Sequence, residues 1–254
     1  MKVIGIIPAR MDSLRFPGKP MEKIHGMPMI GHCYNRTAMA IGANNTYVAT
    51  CDMEIVKYIN SIGGNSIMTA NTHTRATSRS SEALEKIEND IGERVDIVIM
   101  VQGDEPLIQP ETISKTIPCF DETGVDIVNI MSRLETKESF EDENNVKVVV
   151  GCDNNALYFS REPIPSSWKG WEKEMCYMQT GIIAFRRDAL AQFNAIEETP
   201  LEQVESVDMN RVLEIGGKIK MVLTKALTIG VDTFEELIVA EKMLANDKAM
   251  KSYL

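Results

Sequence analysis

An α/β fold with a mostly parallel but mixed central sheet flanked by helices is predicted by three features of the sequence. Short β-branched runs alternate with longer segments of helical period through the first half. Strand-like runs then crowd together with fewer helices between them, which calls for some antiparallel pairing. The chain has 254 residues and 44% hydrophobic content, enough to fill the core of one large α/β domain.

The first strand is VIGII. The segment MKVIGIIPAR carries one Lys and an apolar run that stops at Pro8 and Arg10, too short for a signal sequence or a membrane span. PMIGHCYNRTAMA follows with helical period, then the strand TYVAT, the helix MEIVKYINSI, the strand NSIM, the helix SSEALEKIEND and the strand VDIVIMV. This alternation is that of a parallel sheet wrapped by helices. DIVNIM, VKVVV, ALYF and GIIAF supply the mixed part, and a helix around MNRVLEIG, a strand at KIKMVLT and a helix from near Thr233 close the chain. The loop SREPIPSSWKGW is dense in Pro, Ser and Trp and reads as a flap or a subunit contact. With no internal repeat or flexible linker, residues 1–254 are expected to form a single domain.

Charge and cysteine usage narrow the functional classes. Lys and Arg number 27 against 37 Asp and Glu, a formal net charge of -10, so the overall field repels nucleic acid and anionic membrane surfaces. An anionic ligand must be held by local cations. The five cysteines (Cys33, Cys51, Cys119, Cys152, Cys176) form no CxxC pair, and their odd number points to reduced thiols in a cytoplasmic protein.

One group of local cations stands out. VIGII runs directly into PARMDSLRFPGKP, which places Arg10, Arg15 and Lys19 at the carboxyl end of the first strand, the edge where open α/β sheets bind ligands. Arginines fork onto phosphate oxygens, lysine adds a compact charge, and Gly18 lets the backbone approach. The loop suits a triphosphate; its composition is equally that of a solvated basic turn. The sequence contains no GxGxxG, no GxxxxGK[ST] and no DxD, which removes the main support for a dinucleotide oxidoreductase, a P-loop enzyme and a metal-clamped glycosyltransferase.

Six motifs in order, IPARMDSLRFPGKP, VQGDEPLI, NNVKVVV, ALYFSREPIP, LEQVESVDMNRVLEIG and GVDTFEEL, resemble the 3-deoxy-manno-octulosonate (Kdo) cytidylyltransferases, or CMP-Kdo synthetases. The resemblance implies a Rossmann-like nucleotidyltransferase fold, a homodimer, Mg2+ as cofactor, and CTP and a sugar acid as substrates. It further implies that Arg10 and Lys19 hold the triphosphate with Arg15 nearby, and that Asp104 and Asp232 are the magnesium carboxylates. Gln102 would lie near the nucleoside, Thr77 and Arg79 against the nucleotide, and Arg161, Gln179 and Asp208 toward the sugar. Arg10, Lys19 and Asp104 are the expected catalytic groups.

The chemistry of the carboxylates is compatible with those roles, because Mg2+ takes oxygen ligands and commonly one or two carboxylates plus substrate phosphates. Their local sequence also gives each a structural job: Asp104 as a turn residue before Pro106, and Asp232 as a helix N-cap with Glu235 as capping-box partner. His25, His32 and His73 are scattered and read as packing or surface residues. The chain departs from the family at RATSR, where SGTDR is usual: Ala76 limits the freedom of that turn and the lost carboxylate removes a partner for Arg79. Gln179, Ile183, Phe185, Asp208 and Met209 also stand where His, two Tyr, Glu and Gln are common. These departures widen the expected acceptor to Kdo, a modified Kdo, another ulosonic acid or a less related nucleophile. A glycosyltransferase of related fold and a catalytically idle homologue are the alternative classes.

Overall fold

The first strand, β1 (Val3–Ala9), has Ile4, Ile6 and Ile7 wholly buried, as a strand covered on both faces requires. The computed structural model describes residues 1–13, 15–226 and 229–254. The chain forms the predicted mixed, mostly parallel sheet flanked by helices, and its contacts group into two compact units. One is Met1–Ser114 with Leu227–Leu254, the other Lys115–Ala226.

In the first unit β1 is followed by a small hairpin, β2 (Lys23–Ile24) and β3 (Met27–Pro28), and by α1 (Met29–Ile41). Then come β4 (Thr46–Thr50), α2 (Met53–Ser61), β5 (Asn65–Met68), α3 (Ala76–Ile91), β6 (Ile97–Val101) and the short α4 (Pro110–Ser114). β1 pairs in parallel with β4 and β6, and β4 with β5. β6, IVIMV, is buried at every position, so its continuous apolar run is a sheet interior and leads directly to Gln102 and Asp104 at its carboxyl end.

The second unit holds β7 (Ile127–Arg133), α5 (Lys137–Glu141), β8 (Lys147–Val150), β9 (Ala156–Ser160), β10 (Tyr177–Arg186), three helices α6 (Arg187–Ala195), α7 (Pro200–Glu205) and α8 (Met209–Glu214), and β11 (Lys220–Thr224). Here the expected antiparallel character appears: β10 runs against β7 and β8, and β8 against β9, while β11 is parallel to β7. The register of β10 shifts between Gln179 and Ile183, and the buried Asn129 amide spans the irregularity by donating to Thr180 O (3.3 Å) and Ile182 O (2.8 Å).

α9 (Phe234–Leu244) returns to the first unit. Its N-cap is Thr233 and its capping-box partner Glu236, one residue beyond the predicted Asp232 and Glu235. Glu236 Oε2 accepts the N–H groups of Asp232 (2.7 Å) and Thr233 (2.8 Å), which leaves the Asp232 carboxylate for other work. Likewise α3 starts at Ala76, earlier than the sequence suggests, so Ala76 is helical and gives up no turn freedom. Among the described residues no helix is long and apolar enough to cross a membrane.

Candidate active site

The loop after β1 is built around Gly18, whose φ of +78° is the left-handed conformation open to glycine. Gly18 donates its N–H to Met11 O at 2.9 Å, closing the loop, and caps the single helical turn Lys19–Met21. Asp52 fixes the other arm by accepting the Met11 N–H at 2.8 Å. Phe16 packs edge-on against Phe234 at the start of α9, with ring centroids 6.3 Å apart. That contact carries Arg15 to Asp232, and the ion pair closes at 2.7 Å.

Lys19 is the centre of the arrangement. Its Nζ donates to Asp104 Oδ2 at 2.8 Å, to Asp232 Oδ1 at 2.8 Å and to Val231 O at 3.0 Å. The two aspartates are 128 positions apart in sequence, yet one cation already touches both. A main-chain bond from Val231 N to Asp104 O (2.8 Å) clamps their segments together, so the closeness does not depend on side-chain rotamers alone. Burial is the largest influence on the Lys19 ammonium and pulls its pKa down, but the charges and hydrogen bonds of Asp104 and Asp232 outweigh it and hold the value above the ordinary one. Gly103 lies where a Cβ would come within 3.0 Å of Pro8 O, so the end of β6 approaches β1 as closely as the fold allows.

These groups line a cavity of about 370 Å³ with Arg10, Ser13, His73, Thr74, Arg75, Ala76, Arg79, Gln102 and Gly103. Arg10 is exposed, and its guanidinium has no polar partner among the described residues. The cavity therefore offers an uncommitted guanidinium beside a compensated ion cluster, which is the charge pattern a polyphosphate with a divalent cation needs. Among the described residues no three acidic, His or Cys side chains converge, so a cation at Asp104 and Asp232 has two protein carboxylates. Such a site suits a hard ion that completes its shell with phosphate oxygens and water.

The structure brings Arg10, Arg15, Lys19, Arg79, Gln102, Asp104 and Asp232 to this cavity. Thr77 is buried in the first turn of α3 and is not in the lining. Arg79, also buried, donates to Thr69 Oγ1 (2.6 Å) and Ala70 O (3.4 Å), so it is satisfied without the carboxylate that the family stretch supplies. Asp52 escaped the sequence reading because an Asp before a helical run looks like an N-cap; it heads α2 but makes no side-chain capping bond.

Arg161, Gln179 and Asp208 lie in the second unit. Arg161 donates from Nε to Glu205 O (2.9 Å) and from Nη1 to Glu143 O (2.9 Å), and its N–H goes to Glu205 Oε2 (2.9 Å). Its carbonyl accepts from the buried Lys147 ammonium. Gln179 sits just before the irregularity in β10, its Oε1 buried without a hydrogen-bond partner among the described residues, and Asp208 precedes α8 as N-cap. Ile183 and Phe185, by contrast, are buried in the core, with Phe185 tilted against Phe193 at 6.3 Å. Hydroxyls at those two places would enter apolar packing, so these departures change core filling.

Comparison with known proteins places the chain in a family. Residues 4–220 match the sequence model of the cytidylyltransferases. The 3-deoxy-manno-octulosonate cytidylyltransferase of Pelobacter propionicus is 39% identical over 95% of this chain and 97% of its own length. A solved CMP:2-keto-3-deoxy-manno-octonic acid synthetase complexed with CTP superposes with a TM-score of 0.87 at 36% identity, covering 96% of this chain and 99% of that one. A cytidylyltransferase from Leptospira borgpetersenii shares the fold, with a TM-score of 0.64 at 18% identity over 97% of this chain and 88% of its own. Alike in sequence nearly end to end and alike in the path of the backbone, the chain belongs to the cytidylyltransferases and, within them, to the 3-deoxy-manno-octulosonate cytidylyltransferase family.

Proposed function

We propose that this chain transfers the cytidylyl group of CTP to Kdo, with Mg2+ as cofactor and pyrophosphate as leaving group. The observation that carries the reading is the meeting of Asp104 and Asp232 at a single cation inside a cavity lined by Arg10 and Arg15. Asp104 and Asp232 would hold Mg2+, which would supply charge neutralisation at the phosphates and orient the displacement. The Lys19 ammonium, which bridges the same pair, would supply positive charge to the phosphates beside them. Arg10 and Arg15 neutralise the charge that grows on the departing pyrophosphate. The anomeric hydroxyl of the sugar acid attacks the α-phosphorus and gives up its proton to solvent, the bond from the α-phosphorus to the bridging oxygen breaks to release pyrophosphate, and no covalent enzyme intermediate forms.

The choice of Kdo over a modified acceptor is supported by the core placement of Ile183 and Phe185, which removes two of the departures that pointed elsewhere. Arg161, with its guanidinium ordered by Glu205 and Glu143, is the group we assign to the substrate carboxylate. The family resemblance extends the proposal to a cytoplasmic homodimer that feeds an activated sugar into lipopolysaccharide assembly. The test is to incubate the protein with CTP, Mg2+ and Kdo and follow pyrophosphate and the CMP-sugar. Stoichiometric appearance of both is expected. Pyrophosphate release with other ulosonic acids but not with Kdo would replace the acceptor, and none with any sugar acid would reject the reading.

A further inference from the structure

Residues 73–76 line the nucleotide cavity, and α3 holds this segment from behind. Arg79 and Glu82 stand three residues apart on one face of α3. Arg79 donates to Thr69 Oγ1, Ala70 O and His73 O. Glu82 accepts the Ala70 N–H on both carboxylate oxygens (3.2 and 3.0 Å), the Lys86 ammonium at 2.7 Å and, on Oε2, His73 Nε2. Burial pushes the Glu82 carboxyl up, but Lys86, Ala70 and His73 together hold it at about 2, so it is an ionised acceptor at neutral pH.

An ionised carboxylate has no proton to give, so the hydrogen of that bond belongs to His73 Nε2. In the tautomer that donates from Nε2, the other ring nitrogen, Nδ1, is an acceptor. Nδ1 has no partner among the described residues, and His73 is among the residues that line the cavity. Cytosine presents an amine donor at C4, and uracil a carbonyl acceptor there.

We propose that His73, oriented by Glu82, is a specificity-determining residue whose Nδ1 accepts a hydrogen bond from the exocyclic amine of a 4-aminopyrimidine nucleotide, leaving the 4-carbonyl of a uridine nucleotide unmatched. Glu82 is the positioning residue of the pair. The inference rests on the CTP reading above and deepens it by naming the group that excludes UTP.

The test compares kcat/KM for CTP and for UTP at pH 8, with Kdo as acceptor, in the wild type, His73→Asn, His73→Gln and Glu82→Gln. An Asn carbonyl stands near the place of Nδ1, whereas Gln reaches toward Glu82 and leaves that place empty. His73→Gln is expected to lower the CTP-over-UTP preference about 10-fold, the worth of one hydrogen bond, and His73→Asn to keep most of it. Glu82→Gln is expected to lower the preference by a smaller factor, because the carboxamide can donate to the ring and reverse its tautomer. An unchanged preference in His73→Gln overturns the inference, and so does an equal loss in His73→Asn and His73→Gln, which marks a purely structural role. A wild type that uses neither nucleotide defeats the CTP reading and this inference with it. A wild type that selects CTP, beside a His73→Gln that selects it as well, defeats this inference alone.

Discussion

Lys19 and Arg36 belong to the same unit, both are buried, and both pair with aspartate, but their surroundings separate a site from a staple. Arg36 spends its donors inside the protein: Nε on the Tyr253 hydroxyl (3.0 Å), Nη1 on the carbonyls of Leu107 (3.4 Å) and Ile108 (3.0 Å), and Nη2 on Asp247 (2.6 Å). His32, with Nδ1 on the same hydroxyl and Nε2 on Ile24 O, completes a network that ties the C-terminus to α1. Asp247 is held further by Gln109 and by the Met250 N–H. Lys19 makes three bonds, but its carboxylate partners remain open to the cavity, with side chains 24% and 33% exposed against 13% for Asp247. The lesson is that a buried ion pair marks a ligand site when its anions keep accessible lone pairs.

The sharpest way to break the comparison is to neutralise one anion of the open cluster. Asp104→Asn keeps the shape and removes half of the carboxylate set, so turnover with CTP and Mg2+ should fall by about 10³-fold or more while the thermal midpoint stays put. Near-normal turnover would show that the cation is held elsewhere. Arg36→Leu is the mirror experiment. It strands the Asp247 carboxylate, two carbonyls and a phenol, and should cost about 3 kcal/mol in urea unfolding with kcat per folded molecule unchanged. A loss of kcat with full stability would erase the distinction between the two clusters.

Lys19→Ala sharpens it from the cation side. Turnover should drop roughly 10²-fold because the ammonium no longer steadies phosphate charge. The free protein should at the same time bind Mg2+ more tightly, since the competing cation has gone; isothermal titration of Mg2+ without nucleotide reads this directly. An effect limited to the sugar-acid KM contradicts the assignment.

The strands were legible because β1, β4 and β6 are unbroken β-branched or apolar runs, and the loop cations because three of them follow one strand within ten residues. What escaped was decided by tertiary competition for one side chain. Asp232 and Thr233 each have a Glu three residues on, and both fit a capping box; the claim of Lys19 and Arg15 on Asp232 leaves the cap to Thr233 and Glu236. The start of α3 was hidden because its N-cap, Arg75, makes no side-chain capping bond. Nothing in the sequence singles out Glu82, and only the fold of the preceding loop back onto α3 shows what it accepts. Ile183 and Phe185 could not be assigned to core or site from period alone, because β10 is buried on both faces over that stretch.

Glu82 also provides the smallest and most quantitative test, because its side chain is as exposed as that of the open Asp104, 24% for each. Its folded pKa of about 2 is below its ordinary 4.5. A depressed carboxyl stabilises the fold fully above the unfolded value and loses that contribution as pH falls through the folded one. The stability difference between the wild type and Glu82→Gln should therefore be constant above pH 4.5 and shrink between 4.5 and about 2. With solvent screening a partly exposed pair, the change should be about 1 kcal/mol or less, read by urea unfolding at stepped pH. Taking the difference cancels the other carboxylates that acid protonates in both proteins. A difference that stays flat through this window would mean that Lys86, Ala70 and His73 do not stabilise the charge, and the order of this cavity wall would need another cause.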